Sequence, residues 1–426
     1  MKAIKIPIPE NFKFPDMYRV HQRFDIPLAI DVEKAVNKEW ETLKEKVVIR
    51  PGARIAVCVG SRGISNLTRV VRAVVTKLKI AGANPFITSA MGSHGGATAR
   101  GQAEVLSLRG ISEESAGAPV EITMEVVSVG KADGIPLYID RLAHEADGMV
   151  LINRIKPHTD FTGPVESGII KMLTIGLGNS KGADFYHQAA VERGFYDMII
   201  TAGRQLLKKT RFLFGVALVE NQDHQTCEIR MACAEEMEAT EIELLKHART
   251  SLPKLPLDDI DLLIVDEMGK DISGAGMDPN VVGGQGLCIW SADRPLPKIT
   301  RIFVRDLTKA TRGNASGIGM VHVTTQKLVD KIDLQATAIN ALTASCPEDC
   351  KIPLTLPTEK EAVAAALMTI GSYTLEDVRI VHIANTLDLK HLRVSKGCLP
   401  NLENNPGIMI EPGASVMAFD ESGDLI

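Results

Sequence analysis

The 426-residue chain lacks any apolar run long enough to cross a lipid bilayer. Its longest apolar stretches, Phe212 to Val219 with one glycine inside and Ala362 to Met368, fall far short of the roughly 20 residues that a membrane helix needs. The sequence therefore excludes a helical membrane protein, and no membrane partner is expected.

The chain also lacks a large excess of either charge, since it contains 48 lysines and arginines and 53 aspartates and glutamates, for a net charge of −5. Proteins that work on nucleic acids usually carry a strongly basic surface. The balanced charge therefore argues against a nucleic acid as the partner.

A paired cysteine framework is missing as well. Seven cysteines, an odd number, are scattered over the chain, and the N-terminal residues MKAIKIPIPENF contain no apolar signal core. Disulfide-rich proteins belong to oxidising compartments. These features predict a cytoplasmic protein with free thiols.

The first half of the chain alternates strand-like and helix-like segments. Apolar runs at 54–60, 85–90, 121–127 and 148–154 predict strands, and the spacing of apolar residues over 67–78 predicts a helix between the first two. Such alternation predicts an α/β protein with mostly parallel sheets flanked by helices.

The length predicts two or more domains, and the segment SLPKLPLDD at 251–259 is typical of a linker. We therefore expect an N-terminal catalytic domain over 1–255 and a C-terminal α/β domain over 256–426, with the active site in the cleft between them. The second domain carries a glycine-rich loop in which Lys270, Asp278 and Asn280 are candidate ligand-binding residues.

Three histidines lie in glycine- or proline-containing segments that follow predicted strands: His94 in MGSHGG, His158 in NRIKPH and His187 in GLGNSKGADFYH. A single loop histidine is usually only a solvated surface residue. Three at the strand ends of one sheet favour a shared site, because ligands bind at the carboxyl edge of parallel sheets.

Two cations accompany these histidines. Lys171 lies among apolar residues and glycines, where burial favours its neutral and nucleophilic form, although a lysine that extends from a helix to solvent fits the same pattern. Arg62 follows the first strand and could bind a carboxylate through its guanidinium, a weak signal for a single basic residue.

The succession GSH94G, KPH158, Lys171 and His187 resembles the nickel-pincer lactate racemase family, and in particular its less characterised isomerase branches. The resemblance implies a nickel-pincer mononucleotide cofactor that is made by dedicated maturation enzymes. It implies that Lys171 holds the cofactor covalently and that His187 binds nickel. It also implies that His94 and His158 are the acid/base pair and that Arg62 binds substrate.

The implied reaction is racemisation or epimerisation of an α-hydroxy acid by reversible hydride transfer. Inversion needs a base on each face of the carbon, and imidazole can serve as base in one direction and as acid in the other. Lys270, Asp278 and Asn280 are expected to contact the same cofactor, and an oligomer is compatible with this interpretation.

The chain departs from the family at three positions. Val59 replaces an acidic residue three positions before the arginine, Gly95 replaces an arginine after the first histidine, and Ile170 replaces a basic residue before the lysine. Val59 puts a cofactor or arginine contact in doubt. The smaller number of positive charges points to a larger or more hydroxylated acid than lactate.

Two alternatives belong to other classes. Three histidines could form a zinc site with an open position for water, as in a metallohydrolase, but Lys171 would then have no role. A protein that binds a nucleotide or a sugar acid without catalysis is the other.

Overall fold

The computed structural model describes residues 3–284, 287, 288 and 292–426. The strands are β1 (Asp16–Gln22), β2 (Arg54–Val59), β3 (Asn84–Ser89), β4 (Val126–Ala132), β5 (Ile135–Asp140), β6 (Gly148–Arg154), β7 (Phe212–Glu220), β8 (Thr226–Ala232), β9 (Asp259–Met268), β10 (Lys298–Leu307), β11 (Val323–Thr325), β12 (Leu354–Leu356), β13 (Ile380–Ile383), β14 (His391–Ser395), β15 (Ile408–Ile410) and β16 (Ser415–Val416). The helices are α1 (Val32–Leu43), α2 (Leu67–Ile80), α3 (Ala99–Leu108), α4 (Glu113–Ala116), α5 (Arg141–Glu145), α6 (Ile169–Lys171), α7 (Asn179–Arg193), α8 (Phe195–Lys209), α9 (Ala234–Thr250), α10 (Pro279–Val282), α11 (Gln326–Val329), α12 (Leu334–Thr343), α13 (Glu359–Leu367) and α14 (Leu399–Leu402).

The chain divides into two compact units, an N-terminal unit over Ile26–Leu252 and a C-terminal unit that joins the described residues up to Asp25 to Pro253–Ile426. The first 25 residues, predicted to be part of the N-terminal domain, belong to the C-terminal unit because β1 pairs antiparallel with β14 and β15. The predicted fold class, α/β with mostly parallel sheets flanked by helices, is confirmed.

The N-terminal unit contains a five-stranded sheet in the order β3-β2-β6-β7-β8. Its first four strands are parallel and β8 runs antiparallel to β7. Residues 55–59 of β2 are all at most 1% exposed, which is typical of a strand covered on both faces. The apolar positions of α2 recur every three or four residues and are buried, so this helix covers one face.

The strand predicted at 121–127 is shifted along the chain and does not join the main sheet. β4 begins at Val126 and forms an antiparallel hairpin with β5, outside the main sheet. Asp133 and Gly134 connect the two strands with φ angles of 46° and 83°. Both central residues of a tight hairpin turn need positive φ, and the Asp-Gly pair is well suited to this conformation.

The C-terminal unit contains a larger sheet in the order β12-β11-β10-β9-β13-β14-β1-β15, with β16 beside β1. β12, β11, β10, β9 and β13 are parallel, whereas β14, β1 and β15 extend the sheet in antiparallel fashion. Buried apolar residues on both sides form the core of this unit.

The sequence predicts that all cysteines are free thiols, but two of them are paired in the structure. Cys288 and Cys346 form a disulfide in the C-terminal unit. Cys58, Cys227, Cys233, Cys350 and Cys398 are free. Among the described residues, no helix has both the length and the apolar character that crossing a membrane requires.

Candidate active site

The carboxyl ends of β2, β3 and β6 meet at one edge of the N-terminal sheet. Val59 at the end of β2 pairs with Ser89 of β3 and Ile152 of β6, so the segments after these strands start at the same level. They carry Arg62, His94 and His158 respectively. The topology therefore brings three of the predicted site residues to one edge, as expected for ligand sites of parallel sheets.

His94 lies in the β3–α3 loop (residues 90–98) and is exposed. Its Nδ1 is 2.5 Å from the hydroxyl of Ser61, which follows β2. The loop is anchored by Gln102, a fully buried residue of α3 whose amide donates to the carbonyls of Gly92 and His94 at 2.9 and 3.3 Å. Ser61 and Gln102 are not predicted from the sequence, because no motif in it indicates these contacts.

His158 lies in the β6–α6 loop (residues 155–168) and is largely covered, with 13% of its side chain exposed. Its Nδ1 accepts a hydrogen bond from the backbone N–H of Asp160 at 3.0 Å. The Nε2 atom of the same ring contacts the Nζ atom of Lys171. The two residues that the sequence singled out separately therefore form one pair.

The hydrogen bonds determine the protonation state of His158 and Lys171. A nitrogen that accepts an N–H bond carries no proton, so the neutral His158 ring must hold its proton on Nε2. That N–H points at Lys171, whose amine can accept it only when neutral. The arrangement therefore requires an uncharged amine, which is the nucleophilic form of lysine.

Burial lowers the pKa of Lys171 to about 7. The positive charges of Arg62 and Lys156 lower this pKa further, whereas the carboxylates of Asp160 and Glu166 oppose the shift. Arg62 itself is exposed and lies close enough for its charge to act on the lysine. At neutral pH a large share of Lys171 is therefore unprotonated.

Lys171 ends the short helix α6 and is followed by a π-helical turn over Met172–Gly176. The buried carboxyl group of Glu241 from α9 accepts the backbone N–H groups of Ile169 and Ile170, the latter at 2.9 Å. Burial raises the pKa of Glu241 to about 8. A Cβ atom on Gly168 would lie 2.5 Å from an oxygen of this carboxyl group, so a larger residue at this position would have to displace the Glu241 side chain.

His187 lies on α7, and its Nδ1 is 2.6 Å from the carbonyl oxygen of Ala183. A carbonyl can only accept, so Nδ1 carries the proton and Nε2 keeps a lone pair. Burial lowers the pKa of His187, which favours the same neutral ring. A backbone carbonyl that orients the ring in this way is common among histidines that bind metals through Nε2.

The rings of two phenylalanines lie between His158 and His187, and neither was predicted from the sequence. The ring of Phe161 is centred 4.3 Å from that of His158 and 5.3 Å from that of Phe195. Phe195 in turn is 5.3 Å from the ring of His187. His158, Lys171 and His187 therefore surround one aromatic pair, and this apolar environment accounts for the lowered pKa values of Lys171 and His187.

The histidines do not form a three-histidine metal site. The nitrogens of His94, His158 and His187 are not all within 4.8 Å of one another; among the described residues, only Cys288, Cys346 and Glu348 form a group this close. The two sulfurs of that group are already joined in a disulfide. The donor geometry thus disfavours the zinc hydrolase alternative.

The other predicted positions form local contacts. Val59 is fully buried in the core, so it offers no polar contact. Lys270 donates to the carbonyl of Gly274 at 2.6 Å in the C-terminal unit. Asp278 caps α10 by accepting the N–H of Asn280 at 3.0 Å, and it also accepts the Asn280 side chain at 2.8 Å. Their contact with a cofactor stays a prediction.

Comparison with known proteins assigns the family. Residues 59–293, more than half of the chain, match the family described as "Domain of unknown function (DUF362)". The chain belongs to the DUF362 family. The matched region contains every residue of the site described above, and it also covers Lys270, Asp278 and Asn280.

Further comparisons leave the activity of this DUF362 protein open. No curated protein shows significant similarity to the chain. Among solved structures it is similar to the lactate racemase apoprotein from Thermoanaerobacterium thermosaccharolyticum, with 14% identity, a TM-score of 0.47, and coverage of 87% of this chain and 88% of that one. A similarity at this level does not assign an activity.

Proposed function

We propose that this DUF362 protein racemises or epimerises an α-hydroxy acid with a nickel-pincer nucleotide attached to Lys171. The observation that carries the proposal is the pairing of a partly buried lysine amine with Nε2 of His158, in hydrogen-bond geometry that requires the amine to be neutral. A lysine must be unprotonated before its nitrogen can form a covalent bond to a cofactor.

The residues present fit the two attachments that such a cofactor needs. Lys171 offers a neutral amine, and His187 offers Nε2 with its lone pair while the carbonyl of Ala183 holds the opposite nitrogen. Imidazole nitrogen is a suitable donor for nickel, and the sulfurs of the cofactor complete the set. When bound, the cofactor would supply the acceptor for the substrate hydride.

The remaining roles belong to the chain itself. Arg62 is exposed at the sheet edge and can bind a substrate carboxylate through two parallel hydrogen bonds. His94 and His158 follow different strands and can approach a substrate carbon from two sides. Each would take the hydroxyl proton in one direction of the reaction and return it in the other.

The substrate is expected to be larger or more hydroxylated than lactate. Gly95 and Ile170 stand where members of the nickel-pincer lactate racemase family carry a cation. They belong to the loop of His94 and to the helix of Lys171. Ile170 is fully buried, so it offers no charge to a substrate. Hydroxyl groups on the substrate would replace some of the missing ionic contacts with neutral hydrogen bonds.

Mass spectrometry of the intact protein tests the proposal. The chain is co-expressed with the enzymes that make the cofactor, and peptide mapping locates any added mass. We expect the adduct on the peptide containing Lys171, its loss in Lys171→Arg, and its retention in the control Lys181→Arg. An adduct on Lys181 or Lys156, or bound metal without any adduct on the co-expressed protein, would contradict the proposal.

A further inference from the structure

Glu166 is a buried acid near the end of the β6–α6 loop, with 1% of its side chain exposed. One carboxylate oxygen accepts the backbone N–H of His158 at 2.6 Å. The other accepts the backbone N–H of Gly163 at 3.0 Å and the guanidinium of Arg249 at 2.6 Å. One side chain thus joins both ends of the segment 158–163.

Arg249 provides the counter-charge from the last turn of α9. The same guanidinium nitrogen also donates to the carbonyl of Gly163 at 2.8 Å. A carboxylate buried to this degree would be very unfavourable without such a partner, and removal of one member of a buried pair leaves the other charge uncompensated. Glu166 and Arg249 therefore act as a unit on the loop.

The segment that they hold sets the proton on His158. Within it, the backbone N–H of Asp160 donates to Nδ1 of His158, which places the ring proton on Nε2 beside Lys171. This hydrogen bond exists only while residues 158–160 keep their present turn. The contacts of Glu166 to the N–H groups of His158 and Gly163 fix that turn on both sides.

We propose that Glu166 and Arg249 are positioning residues which select the Nε2–H tautomer of His158. They do not touch Lys171 in the contacts described. Besides the charge of Glu166, which raises the pKa of Lys171, they act on its amine through the imidazole. The biological relevance of this role rests on the proposed function, in which Lys171 and His158 are reactive groups. The tautomer itself is a property of the chain without cofactor.

Nuclear magnetic resonance with nitrogen-15-labelled histidine tests the positioning role in the full chain. The signal of His158 is assigned by its loss in His158→Gln, and its two ring nitrogens report which one is protonated. We expect wild type to show a protonated Nε2 and an unprotonated Nδ1. In Glu166→Gln and in Arg249→Met the two nitrogens should shift toward the average of both tautomers.

A matched control lies on the same helix. Glu238 of α9 binds Arg204 through two hydrogen bonds of 2.6 and 2.7 Å, but its pair is more exposed, at 26% and 55%. Glu238→Gln should leave the His158 signals as in wild type. Arg249→Lys, which keeps the charge, should restore part of the wild-type tautomer population relative to Arg249→Met.

The outcomes separate this inference from the proposed function. Folded Glu166→Gln and Arg249→Met proteins with a wild-type His158 spectrum would overturn the positioning role, whatever the activity. If Glu166→Gln does not fold, Arg249→Met decides, because its side chain is 45% exposed. In protein that carries the cofactor, kcat should fall about 10- to 100-fold with little change in KM. Absence of any activity on hydroxy acids would count only against the proposed function.

Discussion

The loops after β3 and β6 each carry a histidine to the same sheet edge, but they surround it differently. His94 is exposed in a glycine-rich loop and bonds to the hydroxyl of Ser61. His158 is covered by Phe161 and contacts the partly buried Lys171. The same type of residue at equivalent places of one sheet is thus open to solvent in one loop and paired with a lysine amine in the other.

This contrast shows that burial, rather than residue type, distinguishes the surroundings of the two histidines. Among the described residues, buried carboxyl groups support the second loop: Glu166 holds its backbone and Glu241 caps the helix that follows. The loop of His94 depends on the neutral amide of Gln102. We expect changes on the buried side to have larger consequences than changes on the exposed side.

The largest expected effect concerns nickel on the buried side. His187→Ala removes the Nε2 donor, so protein matured with the cofactor enzymes should lose its nickel while it stays folded by circular dichroism. Gln188→Ala, at the exposed neighbouring position, is the control and should keep its nickel. Full nickel content in His187→Ala, measured by atomic emission, would remove this residue from the site.

The acid/base pair tests both loops at once. His94→Ala and His158→Ala should each lower inversion of the true substrate by about 100- to 10,000-fold, because each direction of the reaction uses both rings. The double variant should cost little more than the worse single one, since residues that act as a unit are not additive. His247→Ala on α9, at an exposed position, is the control.

Steady-state kinetics must be combined with a check of cofactor occupancy in each variant. Near-normal turnover at full occupancy in either single variant would make the two-base mechanism wrong for this protein. Loss of activity in His158→Ala alone would place all of the chemistry in the loop after β6.

A third prediction concerns the effect of the Lys171 charge on the free energy of unfolding. The folded protein binds the proton of this amine with a pKa of about 7, whereas the unfolded chain binds it up to about 10.5. Charging the buried amine therefore destabilises the fold fully below pH 7, and the penalty fades as the pH rises toward 10.5. Lys171→Met should raise the free energy of unfolding at pH 6 by a few kcal/mol, on the order set by burying an ionised group.

Urea denaturation at several pH values measures this difference. The gain over wild type should shrink steadily between pH 7 and pH 10. Lys38→Met on the exposed face of α1 provides the control and should change stability little at any pH. If the gain did not depend on pH, the charge on Lys171 would not destabilise the folded protein.

The smallest effect is expected on the exposed side. Gln102→Ala removes an amide that bonds to Ser89, Gly92 and His94, and it leaves the carbonyl of Gly92 without this donor. A lost buried hydrogen-bond partner costs about 1–3 kcal/mol. Amide hydrogen exchange over residues 90–98 should accelerate, while exchange over 155–168 stays as in wild type. Equal acceleration in both segments would remove the contrast between the two loops.

Much of the fold was predictable because its signals are local. The bounds of β6 match the apolar run at 148–154, and α2 follows the spacing of its apolar residues. The hairpin of β4 and β5 was missed although Asp133-Gly134 is a typical turn pair. The pairing of β1 with β14 could not be predicted, because it joins residues some 375 positions apart through contacts that no local pattern reports.

The sequence pointed to the residues that the structure brings together, but not to the residues that support them. His158 and Lys171 stand out by their motifs, whereas Glu166, Glu241 and Arg249 matter only because the fold buries or pairs them. Phe161 and Phe195 are ordinary apolar residues in the sequence, and their position between two histidines depends on how the β6–α6 loop meets α8. Such roles arise from tertiary burial, which a single sequence does not reveal.

The protonation state of Lys171 tests the central claim most directly. The full chain is labelled with a trace of acetic anhydride at pH values from 5 to 11, and mass spectrometry quantifies acetylation of the peptide that contains Lys171. An apparent pKa of about 7 for that amine is the expected result, with Lys38 as an exposed lysine for reference. An apparent pKa near 10.5 for Lys171 would contradict the account, since the amine would then be charged at neutral pH and unable to form the proposed covalent bond.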